Sequence, residues 1–287
     1  MLSIRNTAAA RFIPAVAIVG VLIGGSAFGQ AIESGFNANT LPPNDDGSAG
    51  PVALGFDVNF FGVTRNQLWV NNNGNVTFDA ALSTFTPFDL TSTGQEIIAP
   101  FFADVDTRNA GDPVTYGPGT FEGRPAFGVN WINVDYFSSS AAHTNRNSFQ
   151  LILVDRSDIG AGEFDIVFNY DQIQWETGEA SGGDADGLGG DSARVGYSNG
   201  TGDPDTFFEL PGSAVNGAFL DGGPDALVSN RLNSNIDGRY IFQSRGGAIG
   251  GPEPFDPIPV PAGSLLTWLL LVLALITAGT LVVRRFS

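Results

Sequence analysis

In the middle of the chain, hydrophobic residues either alternate with polar ones or form short apolar runs, with Gly, Asn, Asp and Pro between them. Both patterns read as β-strands joined by turns. Leu68-Trp69-Val70 and Val76-Thr77-Phe78 flank Asn71-Asn72-Asn73-Gly74-Asn75. Asn-Gly tolerates positive φ, so a hairpin is predicted there. Phe149 to Val154 is an apolar run of strand length, and Asp155 to Gly162 is a polar, Gly-containing loop. Phe164, Ile166, Phe168 and Tyr170 then alternate with Asp165, Val167, Asn169 and Asp171, as in a half-buried strand. The apolar phase shifts at Ile173 and Trp175, which predicts a bulge near Asp171-Gln172. Phe127 to Phe137, Arg194 to Tyr197 and Arg239 to Phe242 add strands, and no amphipathic helix interrupts them. The predicted fold is all-β, a single antiparallel β-sandwich-like domain.

The two ends follow other rules. Met1 to Arg11 carries two arginines and no acid, Phe12 to Gly25 is apolar, and Ser26 to Ala31 is rich in small residues. This is the pattern of a secretory signal peptide, with Ala27/Gly29 and Gly29/Ala31 as alternative cleavage pairs. At the other end, Leu265 to Val283 is nineteen residues without a charge. Such a helix is roughly 28 Å long, the thickness of a membrane's hydrocarbon layer. Arg284 and Arg285 follow at once, which places the tail in the cytoplasm and the domain outside. Trp268 suits the membrane interface. A proline-dense spacer, Pro252 to Pro261, precedes the helix and is extended and semi-rigid. The order of proline motif, apolar helix and terminal arginines resembles bacterial sorting tails of the PEP-CTERM and IPTL-CTERM type. Ile258, Pro259, Val260, Pro261, Trp268, Arg284 and Arg285 carry the likeness, with Val-Pro where the IPTL form has Thr-Leu. The resemblance implies an anchor that a sorting protease cuts. The expected organisation is a signal peptide over 1–29, a lead-in over 30–54, the β domain over 55–245, a Pro/Gly-rich spacer over 246–263 and a membrane helix with a basic end over 264–287.

Charge sharpens this picture. All 30 acidic residues lie between the two ends, with nine of the 13 arginines, so the middle carries a net −21. Such a surface repels nucleic acids and anionic membranes. No cysteine is present, which excludes disulfides, thiolate catalysis and Cys-based zinc sites. An exported domain that relies on its core alone points to a bacterial source.

Candidate chemistry is sparse. His143 is the sole histidine, in the polar stretch Ser138 to Ser148, and no Gly-x-Ser-x-Gly elbow accompanies it. It is expected to be a solvated loop residue. Glu163, Glu176 and Glu179 combine on paper into glycosidase pairs, which chance supplies in so acidic a chain. The chain implies no resident cofactor, and the ion it could accommodate is Ca²⁺. Asp104, Asp106 and Asp112, with Asn109 and Gly111 nearby, form the first candidate site. Asp184, Asp186 and Asp191 form the second. Trp69, Trp131 and Trp175 lie in strands and are expected in the core, with a sugar-stacking platform as the alternative.

Several motifs occur in a shared order. They are Phe60-Phe61-Gly62; Leu68 to Gly74; Ile98 to Asp106, followed by Gly111 and Val114 to Tyr116; Asn147 to Leu153; Phe168 to Gly178; Arg194 to Tyr197; and Leu232 to Phe242. Together they resemble the nidogen-type extracellular (NIDO) domain from about Gly55 to Phe242. The resemblance implies an extracellular matrix or cell-surface protein of cell–matrix adhesion type, and it supplies no catalytic residue. The expected function is therefore a non-enzymatic exported bacterial surface or matrix protein, anchored by its C-terminal helix or released. Its expected partners are matrix, polysaccharide or surface proteins. A secreted carbohydrate-binding module is the alternative, and an extracellular hydrolase comes third.

Overall fold

The computed structural model describes residues 31–139 and 143–250. The predicted signal peptide, Gly29, Ile258, Pro259, Pro261, Trp268, Arg284, Arg285 and the C-terminal helix lie outside the described residues. Among the described residues no helix is long and apolar enough to cross a membrane.

The strands run in the order β1 (Asn39–Thr40), β2 (Ser48–Phe60), β3 (Val63–Asn71), β4 (Asn75–Thr77), β5 (Glu96–Phe102), β6 (Val105–Asp106) and β7 (Thr115–Phe121). They continue through β8 (Arg124–Tyr136), β9 (Asn147–Asp155), β10 (Phe164–Ile173), β11 (Arg194–Asn199), β12 (Phe207–Glu209), β13 (Arg239–Arg245) and β14 (Ala248–Ile249). They form two antiparallel sheets. One has the order β1-β7-β8-β9-β10-β13-β14, with β6 paired to β8, and the other has the order β12-β11-β5-β4-β3-β2. The predicted hairpin is the β3–β4 connection, where Asn71 pairs with Asn75. The predicted bulge is also present: the register of β10 against β9 shifts between Tyr170 and Gln172.

The main core lies between the sheets. Leu68 and Val70 of β3 and Phe101 of β5 meet Phe149 and Leu151 of β9 and Phe164, Ile166, Phe168 and Tyr170 of β10. Trp131 stacks on Phe149 at 5.2 Å, and Trp175 meets Phe101 edge-on at 5.8 Å. Both indoles are fully buried. Trp131 Nε1 donates to the Asn72 carbonyl at 3.0 Å, and Trp175 Nε1 donates to the Val134 carbonyl at 3.2 Å. Trp69 departs from the expectation of core burial. Leu68 and Val70 take the inner face, so alternation turns Trp69 outward, where it is half-buried over Gly50.

The β10 strand also departs from the sequence reading. It is buried on both faces, with Asp165, Val167 and Asn169 enclosed as well as the aromatic row. The cover comes from the segment before β1. Phe36 joins Phe121, Ile152, Val154 and Val167 in a second cluster on the outer face. Beside it, Arg239, 2% exposed, donates to the Ala31 carbonyl at 2.6 Å, Glu33 Oε1 at 2.6 Å and Asn169 Oδ1 at 2.8 Å. Burying a guanidinium requires such partners. The residues expected as a lead-in thus contribute β1, the start of β2 and this cover.

Candidate functional site

The connection between β1 and β2 reads Pro42-Pro43-Asn44-Asp45-Asp46-Gly47. Asn44 shapes it: its Oδ1 accepts the Gly47 N–H at 2.6 Å, closing a tight turn through the side chain. The Asn44 carbonyl accepts the Thr107 N–H at 3.0 Å, and Asp45 bridges to Asp106. The loop is thereby fastened to the segment Ala103 to Thr107. Asp46 sits at φ +61, a left-handed conformation that Asp adopts more readily than most residues.

The β3–β4 turn completes the surroundings, and Asn71 to Asn75 are buried in the body of the protein. Asn73 Nδ2 donates to Asp46 Oδ1 at 2.7 Å, and Asn73 Oδ1 accepts the Val105 N–H at 3.0 Å. Asn72 Nδ2 donates to the Val105 carbonyl. Gly74, at φ +69, brings the turn against β5, where a Cβ would lie 1.7 Å from the Phe101 carbonyl oxygen.

One carboxylate oxygen from each of Asp45, Asp46 and Asp104 lies within 4.8 Å of the other two. Asp104 is 2% exposed, and its Oδ2 meets no hydrogen-bond partner; Asp45 Oδ1 is buried and equally unmatched. Gly178 closes the far side, since a Cβ there would lie 2.2 Å from Asp104 Oδ2. Arg108 is the nearby cation, 2.8 Å from both Asp45 Oδ2 and Asp106 Oδ2. Burial, then the charges of Asp45, Asp46 and Asp106, push the Asp104 carboxyl up to about 7, with Arg108 opposing. Burial and repulsion from Asp46 and Asp106 push Asp45 up to about 6.

The residues grouped in the sequence are distributed differently. Asp106 accepts from Arg108 Nε at 3.0 Å and Nη2 at 2.8 Å, so its charge is matched. Asp112 is exposed and accepts from Asn133 Nδ2 at 3.0 Å. In the second grouping, Asp184 Oδ1 accepts the N–H groups of Asp186 at 2.9 Å and Leu188 at 3.0 Å, shaping its own turn. Sequence reasoning missed Asp45 and Asp46. Their signal was two adjacent acids followed by Gly, in a loop set by Pro-Pro-Asn.

Along the whole chain, residues 66–246 match the nidogen-like domain family. The chain belongs to that family. Alpha-tectorin from Mus musculus is 37% identical over 237 residues, covering 74% of this chain and 10% of the relative. Alpha-tectorin from Homo sapiens is 36% identical over the same length. Nidogen from Drosophila melanogaster is 25% identical over 229 residues, covering 71% of this chain and 15% of the relative. The chain thus spans about a tenth of the length of the tectorins it matches. No solved structure matches it.

Within this nidogen-like domain, Asn73, Asp104 and Gly178 fall inside the matched span, whereas Asp45 and Asp46 precede it. The residues weighed for catalysis have structural duties. The His143 side chain is 3% exposed, not solvated, because it lies against the buried Asp135 carboxylate and the Tyr136 ring. His143 Nδ1 lies 2.7 Å and Arg146 Nη1 3.1 Å from Asp135 Oδ1, and the imidazole packs on Tyr136 at 4.6 Å. Glu176, 1% exposed, accepts the Gly217 N–H at 2.6 Å and the Phe219 N–H at 2.8 Å. Glu179 accepts from Ser139, and Glu163 accepts from the Gly246 N–H.

Proposed function

We propose that the chain is a non-enzymatic bacterial surface or matrix protein whose nidogen-like domain works outside the cytoplasm in a cell–matrix adhesion role. Family membership carries this reading, through the identity with alpha-tectorin across most of the folded unit. The export signal, the spacer and the apolar C-terminal stretch support display outside the cell. The C-terminal helix over 264–287 holds the domain at the membrane, and a sorting protease acting near Ile258 to Pro261 releases it. The domain's strongly acidic character favours cationic or neutral polymer and protein partners over nucleic acid.

The test is retention of the purified chain on extracellular polymer prepared from the producing cells. Binding that competes with unlabelled domain is expected, and indifference to polymer and intact cells alike sinks the adhesive reading. Mass spectrometry of the chain taken from cells and from medium reads the tail; an intact Arg284-Arg285 end on every molecule rules out release.

A carbohydrate-binding module is the second reading, favoured by the outward position of Trp69. Glycan-array binding lost with Trp69→Ala and kept with Trp131→Phe would support it.

A further inference from the structure

We propose that Asp45, Asp46 and Asp104 form a Ca²⁺ site that fastens the β1–β2 loop to the body of the domain. The inference is independent of what the domain adheres to.

Three carboxylates converge within 4.8 Å from two stretches far apart in sequence. A cluster of acids alone could be a solvated patch, but this one is half-buried at Asp45 and Asp46 and closed at Asp104. Asp104 is almost wholly buried, and its Oδ2 has no protein donor. Asp45 Oδ1 is also buried and unmatched. Two orphaned oxygens in one cluster mark a position where something electropositive belongs. Arg108 does not fill it. Its Nη2 is spent on Asp45 Oδ2 and Asp106 Oδ2, and its side chain is half exposed. With all four carboxyls ionised, Asp45, Asp46, Asp104 and Asp106 against Arg108 leave three negative charges.

The surroundings hold the ligands in place. Asn73 directs Asp46 through its Nδ2, and the Asn44 turn fixes the backbone between Asp45 and Gly47. Gly178 leaves room for the Asp104 carboxylate. The donors are hard oxygens with no imidazole or thiolate among them, which selects an alkaline-earth ion over zinc or copper. Ligands supplied by two loops suit the flexible coordination of Ca²⁺ better than the strict octahedron of Mg²⁺, with water completing the shell. An affinity on the order of 0.1–1 mM, the range of extracellular calcium modules, is expected.

The experiment compares thermal unfolding of the full chain in EDTA and in roughly 10 mM CaCl₂, with calorimetric titration of Ca²⁺ and Mg²⁺ alongside. A rise in melting temperature on the order of 5 °C with Ca²⁺, and a smaller one with Mg²⁺, is expected. Asp46→Asn and Asp104→Asn lose the rise, whereas Asp112→Asn keeps it. In EDTA, Asp104→Asn melts no lower than the parent chain, because it removes like-charge repulsion. Should Asp104→Asn not fold, Asp46→Asn and Asp45→Asn, at less buried positions, carry the comparison. No heat of Ca²⁺ binding and no shift in the parent chain overturns the proposal. A shift that survives in Asp45→Asn and Asp46→Asn overturns it equally.

Discussion

Asp104 and Gly178 meet so closely that any side chain at position 178 must displace the carboxylate. A methyl group at position 178 would lie 2.2 Å from Asp104 Oδ2, so Gly178→Ala has to shift the carboxylate from its place in the cluster. The variant is expected to fold, with a melting temperature that responds to Ca²⁺ less than the parent's does. Proton binding gives a second handle on the same group. With metal removed by EDTA, Asp45 titrates near 6 and Asp104 near 7, against an ordinary 3.8. Between about pH 4 and 7 the folded chain holds protons that the unfolded chain has released. Stability contributed by those protonated carboxyls is present at low pH and lost as pH rises through 6 and 7. Urea unfolding in EDTA should therefore show lower stability at pH 8 than at pH 5.5, and a flat profile would contradict it. Asp46 and Asp106 add like charge beside the Asp104 carboxyl, and Arg108 adds the opposing charge.

Among the elements, the β3–β4 hairpin and the β10 bulge were legible from sequence because local signals set them. Asn-Gly chemistry fixes the turn, and one missed step in the alternation reveals the extra residue. Legibility ended where distant segments decide the outcome. The outward row of β10 looks polar in isolation, and only Phe36, Glu33 and Arg239 make it interior. The candidate site suffered in the same way. Asp104 lay within a visible motif, but its neighbours in space come from the β1–β2 loop, which local patterning cannot connect to it. The hairpin yields a test of its own. Gly74→Ala combines a positive φ with a 1.7 Å approach to the Phe101 carbonyl oxygen, and it should cost more than about 2 kcal/mol in urea unfolding. Phe36→Ala removes a ring that is 2% exposed, with an expected cost of about 3–5 kcal/mol. A loss below about 1 kcal/mol would mean that the outer cover contributes little.

At the scale of the whole molecule, two sheets enclose an aromatic core in a strongly acidic domain, and the charges buried with it, such as Arg239 and Glu176, are matched by hydrogen bonds. Ala31 bears on the proposed export signal. It is 3% exposed, and its carbonyl accepts from Arg239, so removing it would strip a partner from a buried cation. Of the two small-residue pairs, Ala27/Gly29 preserves that contact. Under the proposed export, Gln30 is the expected first residue of the processed chain, and N-terminal sequencing that finds Ile32 instead would refute this assignment. The same contact has a mechanical meaning. A load entering beyond Ile249 meets the Gly250 N–H bond to the Gln243 carbonyl and then the short β14, which is paired to β13 at Ser244 and Arg245. That pair can peel open one rung at a time. The next strand, β13, is registered on β10 from Phe164 to Asn169 and is bolted through Arg239 to Ala31 and Glu33. Tension would thus extend a short tether and then stop, leaving the sheet intact while the molecule is pulled.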